Sequence, residues 1–362
     1  MSSSTPLIST QTALEDLLAA LSGSTEIGID TEFLRERTYR AELCLLQLTT
    51  PHGPVCVDPI ALPELAPLGA LLGAGPLKVL HAGRQDLEVL LPFTGPVRPL
   101  FDTQVAAALA GHPAQIGYGE LVKRLLAREL PKAHTRTDWS RRPLSVEQVD
   151  YALDDVRYLL PLRELLLEKL GTLGRLDWLT EELAELQDPT NLAIDPERAW
   201  QRFKGMQGLD AGRQTLLQDL AAWRERRAIA RNRPRGWILD DAVLREVVYR
   251  VPRDPQQLAS IEAMPEAVVR NSGEELLALI AAAGIADPPP PLPRRERPDP
   301  AFVARVKRLS SAAQSIALEH ELAAEVLVTR RVLEEIAAGR KALDTLRGWR
   351  RALLAARLDA VD

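Results

Sequence analysis

The chain has 362 residues, more than one ordinary core holds, so two or three domains are expected. Its 46% hydrophobic and 26% charged residues are those of a water-soluble globular protein, and no stretch approaches the ~20 uninterrupted apolar residues of a membrane span. Net charge is −5, but residues 1–210 carry 20 basic and 29 acidic side chains and residues 294–362 carry 14 and 10, so acid gathers at the front and base at the back.

The opening MSSSTPLISTQTALEDLLAAL has neither a basic n-region nor a long apolar core, so no leader is expected. EIGIDTEF (26–33) reads as a strand, and strand alternation puts Asp30 and Glu32 on the same side of it. Like charges held side by side repel, so that pair needs a reason. LCLLQLTT (43–50) and GPVCVD (53–58), parted by a Pro-His-Gly turn, read as a hairpin. Cys44 and Cys56 lie inside these apolar runs and read as buried free thiols of a reducing compartment, hence a cytoplasmic protein. LKVLHA (77–82) is a fourth strand running into a helix, GRQDLEVLLP, that Pro92 closes. FDTQVAAALAG (101–111) and YGELVKRLLAREL (118–130) read as helices. SVEQVDYALDDVRYLLPLRELLLEKLG (145–171) reads as one long helix capped by Ser145, with Gln148 at the capping-box spacing. Strands followed by mixed strand and helix predict an α/β domain with a mixed sheet.

After about Asp188 the strand signals vanish. DPTNLAIDPERAW (188–200) is linker-like, residues 211–285 read as several short amphipathic helices, and DPPPPLPRRERPDP (287–300) is a Pro-rich joint before a last helical stretch. The layout predicts an α/β domain over 1–190, a linker over 191–210, and helical domains over 211–290 and 291–362, with the tail separable from the acids at the front.

Taken singly, the acids say little. Asp86 sits at a helix start, where acids are common. Tyr151 and Asp155 are four apart and share one helix face. Their order is more specific: a pair on a strand, one acid after a later strand, and one on a long helix with a tyrosine a turn before it. The stretches DTEF, HAGRQDLEVL, FDTQVAAAL and TDWSRRPLSVEQVDYALDDVRYLLPL carry a resemblance across most of residues 20–175. In the last, Asp138, Trp139, Arg142, Pro143, Leu144, Gln148, Tyr151, Ala152 and Asp155 stand together. This resembles the exonuclease domain of the ribonuclease D family, the tyrosine class of four-carboxylate exonucleases. WRERRAIARNRPRGWILDDAVL and PQQLASIEAMPEAVVRNSGEELLALI resemble the helicase-and-ribonuclease-D C-terminal (HRDC) domain, and ELAAEVLVTRRVLEEIAAG with LRGWRRALL its more divergent second copy. One departure is Met264-Pro265, where the pattern usually has a glycine-containing turn.

The resemblance implies an RNase H-like α/β exonuclease domain with a mixed sheet, followed by two all-α domains. It implies hydrolysis of RNA from the 3′ end to 5′-mononucleotides, in the 3′ maturation of tRNA precursors and other small RNAs. It also implies two divalent cations, Mg²⁺ or Mn²⁺, roughly 3.5–4 Å apart. Asp30, Glu32 and Asp155 would hold one, Asp30 would bridge to the second, and Asp86 would support that second site through water. Tyr151 would orient the attacking water. Hard cations take oxygen ligands, so the carboxylate pair has its reason. Phe33 and His134 are candidate RNA contacts, Phe33 by stacking on a terminal base. Arg224, Arg226, Arg227, Arg231, Arg233 and Arg235, around Trp223 and Trp237, read either as a phosphate grip or as a solvated face. His81 reads as structural. A monomer that meets RNA and no membrane is expected. Two alternatives stay open: a DNA-directed 3′–5′ exonuclease, since proofreading-type domains share these carboxylates, and a non-catalytic RNA-binding protein, against which the intact acid set stands. No G-x-x-x-x-G-K-[ST] is present, so the helicase-like module does not make a helicase.

Overall fold

The computed structural model describes residues 6–131, 137–192, 195–203, 206, 208–287, 289, 299–339 and 346–359. Its strands are β1 (Leu7–Ile8), β2 (Glu26–Leu34), β3 (Glu42–Thr50), β4 (Gly53–Val57), β5 (Leu77–Leu80) and β6 (Leu100–Asp102). They form one sheet in the order β1-β4-β3-β2-β5-β6. The expected hairpin is there: β3 and β4 pair antiparallel, with Thr50 opposite Gly53. β1 with β4, β2 with β5 and β5 with β6 pair parallel, so the sheet is mixed as predicted. The sequence does not announce β1 and β6, which are two and three residues long. Alternation needs four or more residues to be readable, and FDT runs directly into helix.

The helices are α1 (Gln11–Leu21), α2 (Ala66–Ala74), α3 (Arg84–Thr94), α4 (Thr103–Leu109), α5 (Tyr118–Leu126), α6 (Val146–Arg157), α7 (Leu159–Thr172), α8 (Leu176–Leu186) and the short α9 (Pro189–Leu192). After them come α10 (Ala211–Arg231), α11 (Arg235–Ile238), α12 (Asp241–Arg250), α13 (Pro255–Ala259) and α14 (Glu266–Ala282). The chain ends in α15 (Pro300–Glu319), α16 (Ala324–Leu327), α17 (Arg330–Ala337) and α18 (Gly348–Asp359). Three expectations need correcting. Pro92 does not close α3, which runs on to Thr94 and stops at Gly95 with φ +67°. A proline in the last turn removes a single rung, and a glycine in the left-handed region ends the helix. The long helix over 145–171 is two, broken at Tyr158. Residues 211–231 form one helix of 21 residues rather than short pieces, and Asn232 caps it at φ +45°.

The chain folds into two compact units that do not follow chain order. The first takes residues up to 34, 43–192 and 298–362, and the second takes 35–42 and 193–297. In the first, one continuous core joins Leu14, Ile27, Leu46, Leu87 and Leu162 to Leu179, Leu183, Leu309, Ile316 and Trp349. The sequence predicts a domain of its own over 291–362, whereas α15–α18 bury their apolar faces in that core. In the second unit, Leu216, Leu220 and Trp223 of α10 pack on Val243, Val247, Leu276 and Ile280. The loop between β2 and β3 belongs to it: Tyr39 and Arg40 each donate a backbone N–H to Asn232 Oδ1 at 3.1 Å, and Tyr39 donates its hydroxyl to buried Glu225.

Candidate active site

Alternation along β2 puts Gly28, Asp30 and Glu32 on one face of the sheet and Ile27, Ile29 and Thr31 on the other. The first face meets α6 and α7. A Cβ on Gly28 would stand 2.8 Å from Thr49 Cγ2 and 3.2 Å from Leu159, so only glycine lets α7 approach this closely. On the other face, Thr31 donates its hydroxyl to Asp86 at 2.5 Å. Asp86 lies in the first turn of α3, whose entry is a tight turn after β5 in which Ala82 has φ +55°. Asp102 holds that turn, accepting the N–H groups of Ala82 at 3.2 Å and Gly83 at 2.8 Å while it also caps α4. Parallel pairing places Leu80 beside Asp102 and Gly28 beside Val79, so the acids gather at the carboxyl ends of β2, β5 and β6. In sheets of this kind that edge is where ligands bind.

Asp155 reaches the same place from α6, one turn after Tyr151, which donates its hydroxyl to it. The electrostatics record the convergence. Burial, then Asp86, Asp155 and Glu32, raise the Asp30 carboxyl well above its ordinary range. Burial, with Asp155 and Asp86, pushes Glu32 up to about 8. Burial pushes Asp155 to about 7 against the opposing Tyr151 hydrogen bond, and Asp86 to about 6 against that of Thr31. No lysine or arginine is among the leading influences on any of the four. Burial and the neighbouring acids raise the Tyr151 phenol, so it stays protonated and can donate. Among the described residues no group of three His, Cys, Asp or Glu is close enough to hold a metal ion as it stands. The donor chemistry nevertheless fits a hard divalent cation, with all ligating atoms oxygen and the local charge negative.

Residues outside the acid set hold these groups in place, and among them only Asp58 goes unmarked in the sequence. Arg142 makes two hydrogen bonds to buried Asp58, at 2.6 and 2.7 Å, and others to the carbonyls of Cys44 and Trp139. That ties the segment before α6 to β3 and to the end of β4. Trp139 is thereby buried, with its ring stacked on Tyr151 at 6.2 Å. The capping box at Ser145 and Gln148 is present as predicted and starts α6. Pair partners such as Asp58 are remote in sequence, and nothing local marks them.

Other candidates fare differently. Phe33 is half-buried on β2, and alternation puts it on the face of Thr31, away from Asp30 and Glu32. His134 lies outside the described residues. His81 is structural as read: Nε2 donates to the Ile116 carbonyl at 2.9 Å, Nδ1 meets Thr103 Oγ1 at 2.9 Å, and burial lowers its pKa, so the ring is neutral. Much of the arginine cluster is engaged within the second unit. Arg224 is buried against the Leu239 carbonyl and Asp241, Arg226 pairs with Glu197, Arg227 pairs with Glu275 and covers Trp223, and Arg235 lies 3.9 Å from Glu225. Arg233 lies over the exposed Trp237. Cys44 and Cys56 are buried free thiols.

Residues 6–171 match the family model described as 3'-5' exonuclease, and residues 213–280 match that of the HRDC domain. The chain is 41% identical over 358 residues to the ribonuclease D of Gluconacetobacter diazotrophicus, covering 95% of this chain and 89% of that one. It is 38% identical to the ribonuclease D of Sphingobium indicum, covering 95% and 91%. The crystal structure of Escherichia coli RNase D, described as an exoribonuclease involved in structured RNA processing, superposes with a TM-score of 0.82 at 31% identity over 98% of this chain and 97% of that one. No helix among the described residues is long and apolar enough to cross a membrane. With such identity sustained over nearly the whole of both chains, the chain belongs to the ribonuclease D family and is a 3′–5′ exoribonuclease dependent on divalent metal.

Proposed function

We propose that Asp30, Glu32, Asp86 and Asp155 hold two divalent cations, Mg²⁺ or Mn²⁺, and that Tyr151 orients the water that attacks the 3′-terminal phosphodiester. The observation that carries this reading is the gathering of four buried carboxylates at one sheet edge, each raised by burial and three of them also by others of the four, with Tyr151 bonded to one of them. When bound, such cations stabilise charge on the attacking and leaving oxygens and make water a better nucleophile near neutral pH. The chain's own part is placement. Asp30 and Glu32 present oxygens from a rigid strand, Asp86 is aimed by Thr31, and Asp155 and Tyr151 are aimed by α6. The protonated Tyr151 phenol is a poor base and acts by hydrogen bonding. Phe33 and His134 remain candidate contacts to the RNA end.

The substrates proposed are tRNA precursors and other small RNAs, trimmed to 5′-mononucleotides by a monomeric, cytoplasmic enzyme; buried free thiols suit a reducing compartment. The domain reading is an exonuclease domain over 1–190, an HRDC domain over 211–290 and a second HRDC-like segment over 291–362. The test uses 5′-labelled and 3′-labelled single-stranded RNA and matched DNA, incubated with Mg²⁺, Mn²⁺ or EDTA. The 3′ label is expected to leave first as a mononucleotide, the 5′-labelled RNA to shorten stepwise, and both to stop in EDTA. Undiminished cleavage in chelator, or release of the 3′ label on fragments longer than one nucleotide, overturns the reading.

A further inference from the structure

We propose that Tyr118 is a positioning residue for Asp155: its hydroxyl sits inside the backbone ladder at the end of α6 and sets the turn that presents the carboxylate. The proposal rests on the reading that Asp155 holds metal.

In an uninterrupted α-helix the N–H of residue i donates to the carbonyl of residue i−4. Tyr158 N–H and the Asp154 carbonyl are such a pair, and they do not meet directly. The Tyr118 hydroxyl stands between them, accepting from Tyr158 N at 3.0 Å and donating to the Asp154 oxygen at 3.1 Å. A hydroxyl has one proton to give and lone pairs to accept with, so it satisfies both halves of the opened rung. A side chain inserted into the ladder is an established cause of a helix break, and the break between α6 and α7 falls at Tyr158. Pro161 reinforces it, because it brings no N–H for the Arg157 carbonyl. Asp155 is the residue next to the opened carbonyl, on the turn that the wedge defines.

The wedge is itself fixed to the sheet edge where the other acids stand. Tyr118 opens α5, and its ring meets His81 edge-on at 5.7 Å. His81 follows β5 directly and donates to the carbonyl of Ile116, two residues before Tyr118. A chain of packed and hydrogen-bonded groups thus runs from the end of β5, beside β2, to the turn that carries Asp155. The sequence shows Tyr118 only as a residue near the start of a helix.

Tyr118→Phe keeps the ring and its contact with His81 and removes only the hydroxyl. The positioning role predicts that kcat on single-stranded RNA falls about 10- to 100-fold, as for small misplacements of a reacting group, with KM unchanged. Mn²⁺ affinity measured by calorimetry should fall about 10-fold, as when a metal ligand loses its support. Circular dichroism at the assay temperature establishes that the variant is folded. Tyr118→Leu, which removes ring and hydroxyl together, should share the defect in kcat and Mn²⁺ affinity. Wild-type kcat and Mn²⁺ affinity in Tyr118→Phe, with a defect only in Tyr118→Leu, would mean that the ring packs and the hydroxyl positions nothing. A loss that matches the unfolded fraction overturns the proposal equally. Asp155→Asn separates the two readings. If it binds Mn²⁺ and cleaves like wild type, the role given to Asp155 fails. If it is inactive while Tyr118→Phe is normal, only the role given to Tyr118 fails.

Discussion

At the scale of single residues, the pH dependence of stability follows from the four acids. Each has a folded-state pKa above its unfolded value, so the folded protein holds more protons and stability falls as pH rises. The contributions of Asp86, Asp155 and Glu32 are full below the unfolded carboxylate range near ~4 and are lost as pH rises through about 6, 7 and 8, and that of Asp30 is lost in the same direction. Thermal melts in EDTA should therefore drop across that window, and the drop should shrink when Mn²⁺ is added. Asp30→Asn removes one repelling charge. It should flatten the EDTA profile, abolish the gain from Mn²⁺, and reduce kcat more than about 100-fold, beyond what loss of a ligand's support alone gives. A pH-independent melt in EDTA would show that the acids do not share protons as described. Tyr151→Phe leaves the carboxylates in place. It should bind Mn²⁺ and RNA normally and lose about 100-fold in kcat without a matching change in KM, the mark of an interaction made chiefly in the transition state. Wild-type turnover under chemistry-limited conditions would make Tyr151 a packing residue.

At the scale of elements, α6 is the part that must be aimed. Two devices start it, and they differ in kind. The capping box is local: Ser145→Ala should cost about 1 kcal/mol and leave kcat unchanged, because the Arg142 anchor still sets the helix. That anchor is tertiary. Arg142→Leu strands the buried Asp58 carboxylate, whose pKa Arg142 holds down against burial, and frees Trp139 from behind Tyr151. Loss of about 3 kcal/mol or more is expected in urea unfolding, together with a fall in kcat. Arg142→Lys should rescue little, since an ammonium cannot make the two-pronged contact. If Arg142→Lys restores both stability and rate, the forked geometry is not what matters. The capping box was readable at its spacing, whereas Asp58 was not, because its partner comes from a distant part of the chain.

At the scale of the whole molecule, the charge split and Pro-rich joint predicted a tail that could be cut away. The first unit contradicts that for residues 299–339 and 346–359. Trp349 stacks on Trp178 at 4.6 Å, its Nε1 donates to Glu182 at 2.9 Å, and Arg175 joins the carbonyls of Leu109 and His320. Truncation after residue 287 should therefore leave Trp178, Leu179 and Leu183 uncovered and yield a protein that aggregates or binds a hydrophobic dye. Trp349→Ala in the full chain should cost about 3–5 kcal/mol, as for other buried aromatic truncations. A truncated chain that melts cooperatively at the wild-type temperature would show that these helices are dispensable to the catalytic core.

What the sequence determined by itself was local or periodic. The acid pair on one face of β2 and the Ser145 cap depend on spacing within one element, and the hairpin at Pro51-His52-Gly53 and the order of the acids on the succession of neighbouring elements; both are visible in a string. The tertiary structure decided what depends on residues remote in the chain. It split 145–171 at Tyr158 by bringing Tyr118 into the ladder, and it joined Asp58 to Arg142. It brought Asp102 to the turn that aims Asp86, and it assigned the last helices to the first unit. It also drew most of the arginines around Trp223 into structural pairs. Periodicity records which face an element buries but not which element covers it. Partner choice is settled only when the whole core packs.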